Sequence, residues 1–295
     1  MIKFHADHYF HIGSAHYRSG KPCQDYSLSG ANDNVACAIV SDGCSTGRHT
    51  DVGSRVLALS TMQAIRDHVK ASGGVLNTAV VSITSRQQQI ISTSRLILGL
   101  DWVDMLATCG YVYLTQSGGF IHVQGDGVVA LKYRDGHIKM SRYLWADNTP
   151  FYPSYGYDSL SNFVKAHGGD LDALRLSRTT ILTRLDGTIA ESEDKEFTLR
   201  EGLNGVLIKL SLEELKRLEF IAVFSDGVTQ VDNVDWKDAV INLLSFKSLE
   251  GEFAKRRMIR GIQEYRKIGK GPVDDIAYAV VRIEDIQDGE RENER

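Results

Sequence analysis

Apolar positions along the chain fall into two kinds of run. Short runs rich in Val, Ile and aromatic residues, bounded by Gly, Asp, Asn or Ser, predict strands. They lie at 35–40 (VACAIV), 106–114 (LATCGYVYL), 120–123 (FIHV), 128–133 (VVALKY), 179–184 (TTILTR), 205–210 (GVLIKL), 220–224 (FIAVF) and 276–283 (IAYAVVRI). The first segment, with His5, His8 and His11, also reads as a strand. Other apolar residues keep helical spacing. Ala58, Met62, Ile65 and Val69 form one such face. Leu76, Val80, Ile83, Ile90 and Ile97 form a second, interrupted by Gln87 and Ser94. Leu249, Phe253, Met258, Ile262 and Tyr265 form a third despite Gly261, and a shorter amphipathic piece covers 236–244. Runs of strands adjoining runs of helices predict an α+β fold rather than strict βαβ alternation. No low-complexity linker splits the chain, so residues 1–286 are expected to form one domain. Residues 146–172 read as a loop-rich flap or insertion, and 287–295 (QDGERENER) as a polar tail.

Charge narrows the function classes. There are 34 Lys+Arg against 38 Asp+Glu, a formal net charge of -4, and no basic cluster. Such a chain is a poor match for nucleic acid or an anionic membrane surface. The start, MIKFHADHYF, lacks a charged-then-apolar leader pattern, and no apolar run approaches the ~20 residues that span a bilayer. Cys23, Cys37, Cys44 and Cys109 form no CxxC pair, which suits a reducing cytoplasm. A cytoplasmic monomer is expected.

The informative acids follow strands. Asp-Gly occurs six times, and its default reading is a hairpin turn. That reading suits Asp135-Gly136 and Asp186-Gly187, while Asp288-Gly289 lies in the tail. Asp42-Gly43, Asp126-Gly127 and Asp226-Gly227 differ, because each closes an apolar strand. A carboxylate at the end of a buried strand is costly unless something neutralises it. Several at one cleft would repel unless cations sat between them, and hard divalent cations want that donor set. Asp274-Asp275 precedes the last strand, and Gln24-Asp25 lies ahead of the strand at 35–40. Spacing alone leaves two readings open: a shared metal site, or separate turns and caps.

The order Gln24-Asp25, Ser41-Asp42-Gly43, the Thr108 segment DMLATC, Gly125-Asp126-Gly127, Ser225-Asp226-Gly227 and Asp274-Asp275-Ile276 resembles the metal-dependent Ser/Thr protein phosphatases of type 2C, especially stand-alone bacterial members. The likeness runs from about Gly13 to Ile283. It implies two antiparallel sheets packed face to face, with helices on both outer faces, an αββα sandwich. It implies a site for two, or with a looser one three, Mn²⁺ or Mg²⁺ ions. Asp42 would bridge two metals, with Gly43 giving a carbonyl. Asp226 and Asp274 would complete the second metal, and Asp126 would serve the third. Asp25 would contact metal-held water. The implied activity is hydrolysis of phosphoserine and phosphothreonine in proteins by a hydroxide bridging the metals, with no covalent phosphoenzyme.

The chain departs from that family pattern in places. Gln24 stands where the family has Glu, and it can still hydrogen-bond water without adding charge. Gly20 stands where the family has a phosphate-gripping Arg, which leaves Arg18 and Lys21 as candidates. Cys44 stands where His or Met is usual, leaving metal-held water or His49 to protonate the leaving group. Gly125-Asp126-Gly127 lacks the usual Ser-Arg. These changes motivate two alternatives: a weakly active or inactive phosphoprotein-binding regulator, and a phosphatase of small phosphoesters.

Other motifs fail. No Cys has an Arg six residues on, so a thiol phosphatase is excluded, and Cys44 and Cys109 read as small packing residues. Gly125, Gly127 and Ala130 spell GxGxxA, but a hairpin rather than a helix follows. His5, His8 and His11 would be split between the faces of a strand. Arg256, Arg257 and Arg260 read as a solvated helix face, and Trp102 and Trp145 as packing residues.

Overall fold

A computed structural model describes residues 2–158, 160–184, 186 and 188–285. The elements in chain order are β1 (Ile2–His11), α1 (Ser14–Ser19), β2 (Asp25–Ala31), β3 (Val35–Asp42), α2 (Thr50–Ser72), α3 (Ala79–Leu98), β4 (Cys109–Thr115), β5 (Gly118–Gln124), β6 (Gly127–Tyr133) and β7 (Ile138–Trp145). They continue with α4 (Tyr155–Asp158), α5 (Leu160–Ala166), β8 (Leu174–Thr183), β9 (Ile189–Thr198), α6 (Leu199–Gly202), β10 (Val206–Ser211), α7 (Leu212–Arg217), β11 (Leu218–Phe224), α8 (Trp236–Leu243), α9 (Phe253–Lys267) and β12 (Ile276–Asp285). The tail 287–295 lies outside the described residues.

The strands form two antiparallel sheets. One has seven strands in the order β1-β12-β11-β6-β7-β8-β9, the other five in the order β10-β5-β4-β3-β2. Three apolar layers hold the stack. Ala36, Ala38, Val40, Val112 and Ile121 of the smaller sheet meet Val129, Ile221, Val223, Ala277 and Ala279 of the larger one. On the outer face of the smaller sheet, Val35, Cys37 and Ile39 pack with Leu57, Ile65 and Ile83 of α2 and α3. On the outer face of the larger sheet, Val128, Phe220, Ala222 and Tyr278 pack with Val240, Met258 and Ile262 of α8 and α9. β3 is therefore buried on both faces, which is why VACAIV is an unbroken apolar run. The expected sandwich with helices on both outer faces is what forms.

Several boundaries differ from expectation. β4 starts only at Cys109, because residues 106–108 bond across to the end of β3: Thr108 N donates to Asp42 O at 2.8 Å and Cys44 N to Leu106 O at 2.8 Å. α9 starts at Phe253 and excludes Leu249, since Gly251 takes a left-handed φ of 54° just before it. The flap is not merely loop: α4 and α5 lie in it, and Phe151, Tyr155 and Phe163 stack there with centroids 4.7–5.7 Å apart. Arg257 is buried rather than solvated, donating through Nε to Asn242 O at 2.7 Å and pairing with Glu264 at 3.2 Å. The three N-terminal histidines part as a strand requires, His5 to Glu284, His8 to Ser29 and His11 to Arg266. Asp135-Gly136 makes the β6–β7 turn, with Gly136 N donating to Tyr133 O. Trp145 is buried and donates from Nε1 to Gly125 O at 3.1 Å. Among the described residues no helix is long and apolar enough to cross a membrane.

Candidate active site

The strand ends that carry acids meet at one end of the sandwich. A cleft of about 400 Å³ opens there, lined by Asp42, Gly43, Asp126, Asp226 and Asp274, with His16, Thr108 and Gln230 beside them. The opposite wall comes from the flap and includes Tyr152, Tyr155, Phe163 and His167. A larger surface hollow by Tyr133, Glu191 and Arg217 lies away from these acids.

Register explains the convergence. Asp42 has the parity of Ala36, Ala38 and Val40, so its side chain faces the gap between the sheets. Asp25 is its direct partner across the β2–β3 ladder and is buried at 2% exposure. The Asp25, Asp42 and Asp226 carboxyls lie close enough for each to perturb the others' protonation. Asp25 also accepts from Ser225 Oγ at 2.6 Å, which ties it to the larger sheet. Asp126 sits on the β5–β6 corner between Gly125 and Gly127, both at positive φ (100° and 129°). A Cβ on Gly127 would meet Phe224 O at 2.6 Å, so only Gly fits there. Gly43 is similarly wedged, since a Cβ would lie 2.5 Å from Thr50 O.

The electrostatics are those of crowded acids. Burial pushes the carboxyls of Asp25 and Asp42 well above the usual carboxylate range, and repulsion from neighbouring acids adds to it. Asp126 is pushed up to about 7, first by burial and then by Asp226. Asp226 is raised by burial and by Asp274. Arg142 pulls weakly the other way on Asp126 and Asp226. No Lys or Arg is among the residues lining the cleft. Oxygen donors in this number, without a compensating side chain, are the set a hard divalent cation needs.

Not every candidate joins them. Arg18 and Lys21 are exposed and outside the cleft wall: Arg18 reaches back to Ser14 Oγ at 3.4 Å, and Lys21 Nζ donates to Ser45 O at 3.1 Å. His49 is exposed beside Arg48 and Asp104, in a neighbouring hollow that shares Thr46 and Leu106 with the cleft, and its backbone N–H donates to Asp104 Oδ1. Gln24 is buried, but its amide donates to Thr50 Oγ1 at 2.7 Å and its Oε1 has no partner among the described residues. Cys44 does line the cleft, with Sγ 3.1 Å from Thr46 Oγ1. The Tyr152 hydroxyl is pushed up by burial and by Cys44, so it stays a neutral donor.

Two residues escaped the sequence reading. Gln230 donates to Asp226 Oδ2 at 2.9 Å and to Asp274 Oδ2 at 3.3 Å, clamping two acids from separate segments. His16 is buried against Asp275, Nδ1 to Oδ2 2.7 Å. Spacing gives no hint of the His16–Asp275 pair, because its members lie 259 positions apart.

A family model described as Protein phosphatase 2C matches residues 12–260. Solved structures share the fold at low identity. The Ser/Thr phosphatase Stp1 from Staphylococcus aureus aligns with a TM-score of 0.53 at 12% identity, covering 96% of both chains. The catalytic domain of the Ser/Thr protein phosphatase PstP, solved with two manganese ions, gives 0.51 at 15%, covering 97% of this chain and 100% of that one. The S. agalactiae Ser/Thr phosphatase gives 0.52 at 14%, covering 95% and 100%. No curated protein sequence matches the chain.

Proposed function

The chain belongs to the protein phosphatase 2C family, and from that premise we propose that it is a metal-dependent hydrolase removing phosphate from phosphoserine and phosphothreonine in proteins. The observation that carries the reading is the convergence of Asp25, Asp42, Asp126, Asp226 and Asp274 at one cleft end without a lining Lys or Arg. Asp42 and the Gly43 carbonyl would hold one Mn²⁺ or Mg²⁺. Asp42, Asp226 and Asp274 would hold a second, and Asp126 a looser third. When bound, such cations neutralise phosphoryl oxygens and lower the pKa of water held beside them.

The chain's own residues supply position. Gln230 fixes two of the carboxylates that would take the cations, and Asp25 sits directly across the β2–β3 ladder from Asp42. The flap gives the cleft an aromatic wall of Tyr152, Tyr155 and Phe163 facing the acids. Since Arg18 and Lys21 stand outside the cleft wall, the phosphate charge would be met by the cations rather than by a guanidinium. The residues form one catalytic domain that acts on phosphoproteins as a monomer. Hydrolysis of p-nitrophenyl phosphate and of phosphopeptides, with and without Mn²⁺, tests the reading on wild type and Asp42→Asn. Activity that survives chelation or the substitution overturns it. Cleavage of small phosphoesters with none of phosphopeptides would move the substrate class.

A further inference from the structure

His16 is the one cleft residue with an imidazole nitrogen to spare. It is 8% exposed, and its Nδ1 lies 2.7 Å from Asp275 Oδ2. Asp275 itself is saturated: Oδ2 also accepts the Gln24 N–H at 2.6 Å, and Oδ1 accepts the Gly13 N–H at 2.7 Å. With Nδ1 engaged by Asp275 Oδ2, Nε2 is the ring nitrogen left for another partner. Nε2 has no partner among the described residues, and His16 lines the cleft. One ring nitrogen of His16 and one carboxylate oxygen each of Asp274 and Asp275 lie within 4.8 Å of one another, so the ring sits beside Asp274. The pair is not needed to fasten α1, because Ser14 N and Ala15 N already donate to Pro272 O and Val273 O at 3.0 and 2.9 Å. His167, the other histidine of the cleft, has both ring nitrogens taken, by Phe163 O and Thr149 Oγ1.

We propose that His16 is a nitrogen ligand to the divalent cation held by Asp226 and Asp274, with Asp275 orienting its ring. This rests on the metal-site reading above. The chemistry has two consequences. A neutral donor completes the coordination without adding to the repulsion among the acids. An imidazole also favours Mn²⁺ and later first-row ions over Mg²⁺, which prefers oxygen.

The experiment loads the full chain with Mn²⁺ and records electron spin echo envelope modulation. Wild type is expected to show ¹⁴N coupling to the bound ion, and His16→Gln to lose it. The Mn²⁺ affinity of that variant should fall about 10-fold, with Mg²⁺ affinity changing less. Asp275→Asn, which keeps an oxygen acceptor for Nδ1–H, should retain the coupling with weakened affinity. Bound Mn²⁺ without ¹⁴N coupling, or coupling that persists in His16→Gln, overturns the proposal and leaves the metal-site reading intact. If His16→Gln does not fold, the wild-type spectrum decides alone. Failure of wild type to bind Mn²⁺ overturns both.

Discussion

Two regions of the molecule are rich in acids, and they treat them in opposite ways. Strand β9 carries Glu191, Glu193, Asp194 and Glu196 on the edge of the seven-stranded sheet, all exposed. Each charge there is cheap. Arg178 lies 2.9 Å from Glu193, and Thr179 Oγ1 donates to Asp194 at 2.6 Å. Charges on an edge strand also deter pairing with another sheet. The cleft gathers a similar number of acids without a lining Lys or Arg, and the carboxyls of Asp25, Asp42, Asp126 and Asp226 are driven toward protonation. The contrast teaches that placement, not number, gives acids a chemical task.

The comparison can be broken most directly at Asp42. Asp42→Asn should lower phosphatase turnover roughly 10³-fold, the several kcal/mol that a catalytic cation contributes. The metal-free variant should melt a few °C higher than wild type, because one member of a repelling set is gone. Next comes the cation itself. Mn²⁺ at 100 times its Kd should stabilise wild type by about 2.7 kcal/mol, roughly 4 °C in Tm. A Tm indifferent to millimolar Mn²⁺ would erase the distinction between the two regions.

The third test is pH. In chelator, the native cleft keeps protons that the unfolded chain releases between pH about 4 and the Asp126 value of about 7. Stability is then greatest below that window and falls as pH rises through it, by on the order of 4 kcal/mol for Asp126 alone. With Mn²⁺ present the slope should reverse, because cations bind the deprotonated acids. Calorimetry at pH 5 and pH 8 measures both slopes. A fourth test concerns Gln24. The sequence suggests that Gln24→Glu would tighten metal binding. The bond to Thr50 instead predicts an unchanged Mn²⁺ titration and a stability loss of about 1 kcal/mol from a poorly partnered buried carboxylate. The smallest effect belongs to β9, where Glu193→Gln should change stability by no more than ~0.5 kcal/mol and leave the Mn²⁺ response untouched.

The cleft was readable in advance because strand-end aspartates contradict the apolar runs before them. β9 was not. Its residues AESEDKEFT are polar on both faces, since neither face is buried, and alternation has nothing to mark. β2 escaped for a related reason: DYSLSGA is short and mixes Ser and Gly with few apolar residues. Arg257 looked solvated because a helix face of arginines usually is. Burial came from the Asn242 carbonyl on the neighbouring helix, a partner no local pattern specifies. Arg18, Lys21 and His49 were chosen by proximity along the chain; none of the three lines the cleft, and Lys21 Nζ reaches Ser45 O on its rim.

The pairing of Asp25 with Asp42 has a consequence for how the chain assembles. A strand that slips by one residue turns every side chain to the opposite face. In β2 such a slip would set Tyr26 across from Asp42 and aim Asp25 at the helices. On the metal-site reading, cations would then reward the correct alignment alone. The ions would act as proofreaders of the fold, adding to the apolar packing of Tyr26 and Leu28 that already disfavours the slipped isomer. Refolding with Mn²⁺ present would select one alignment of these two strands as well as adding stability to it.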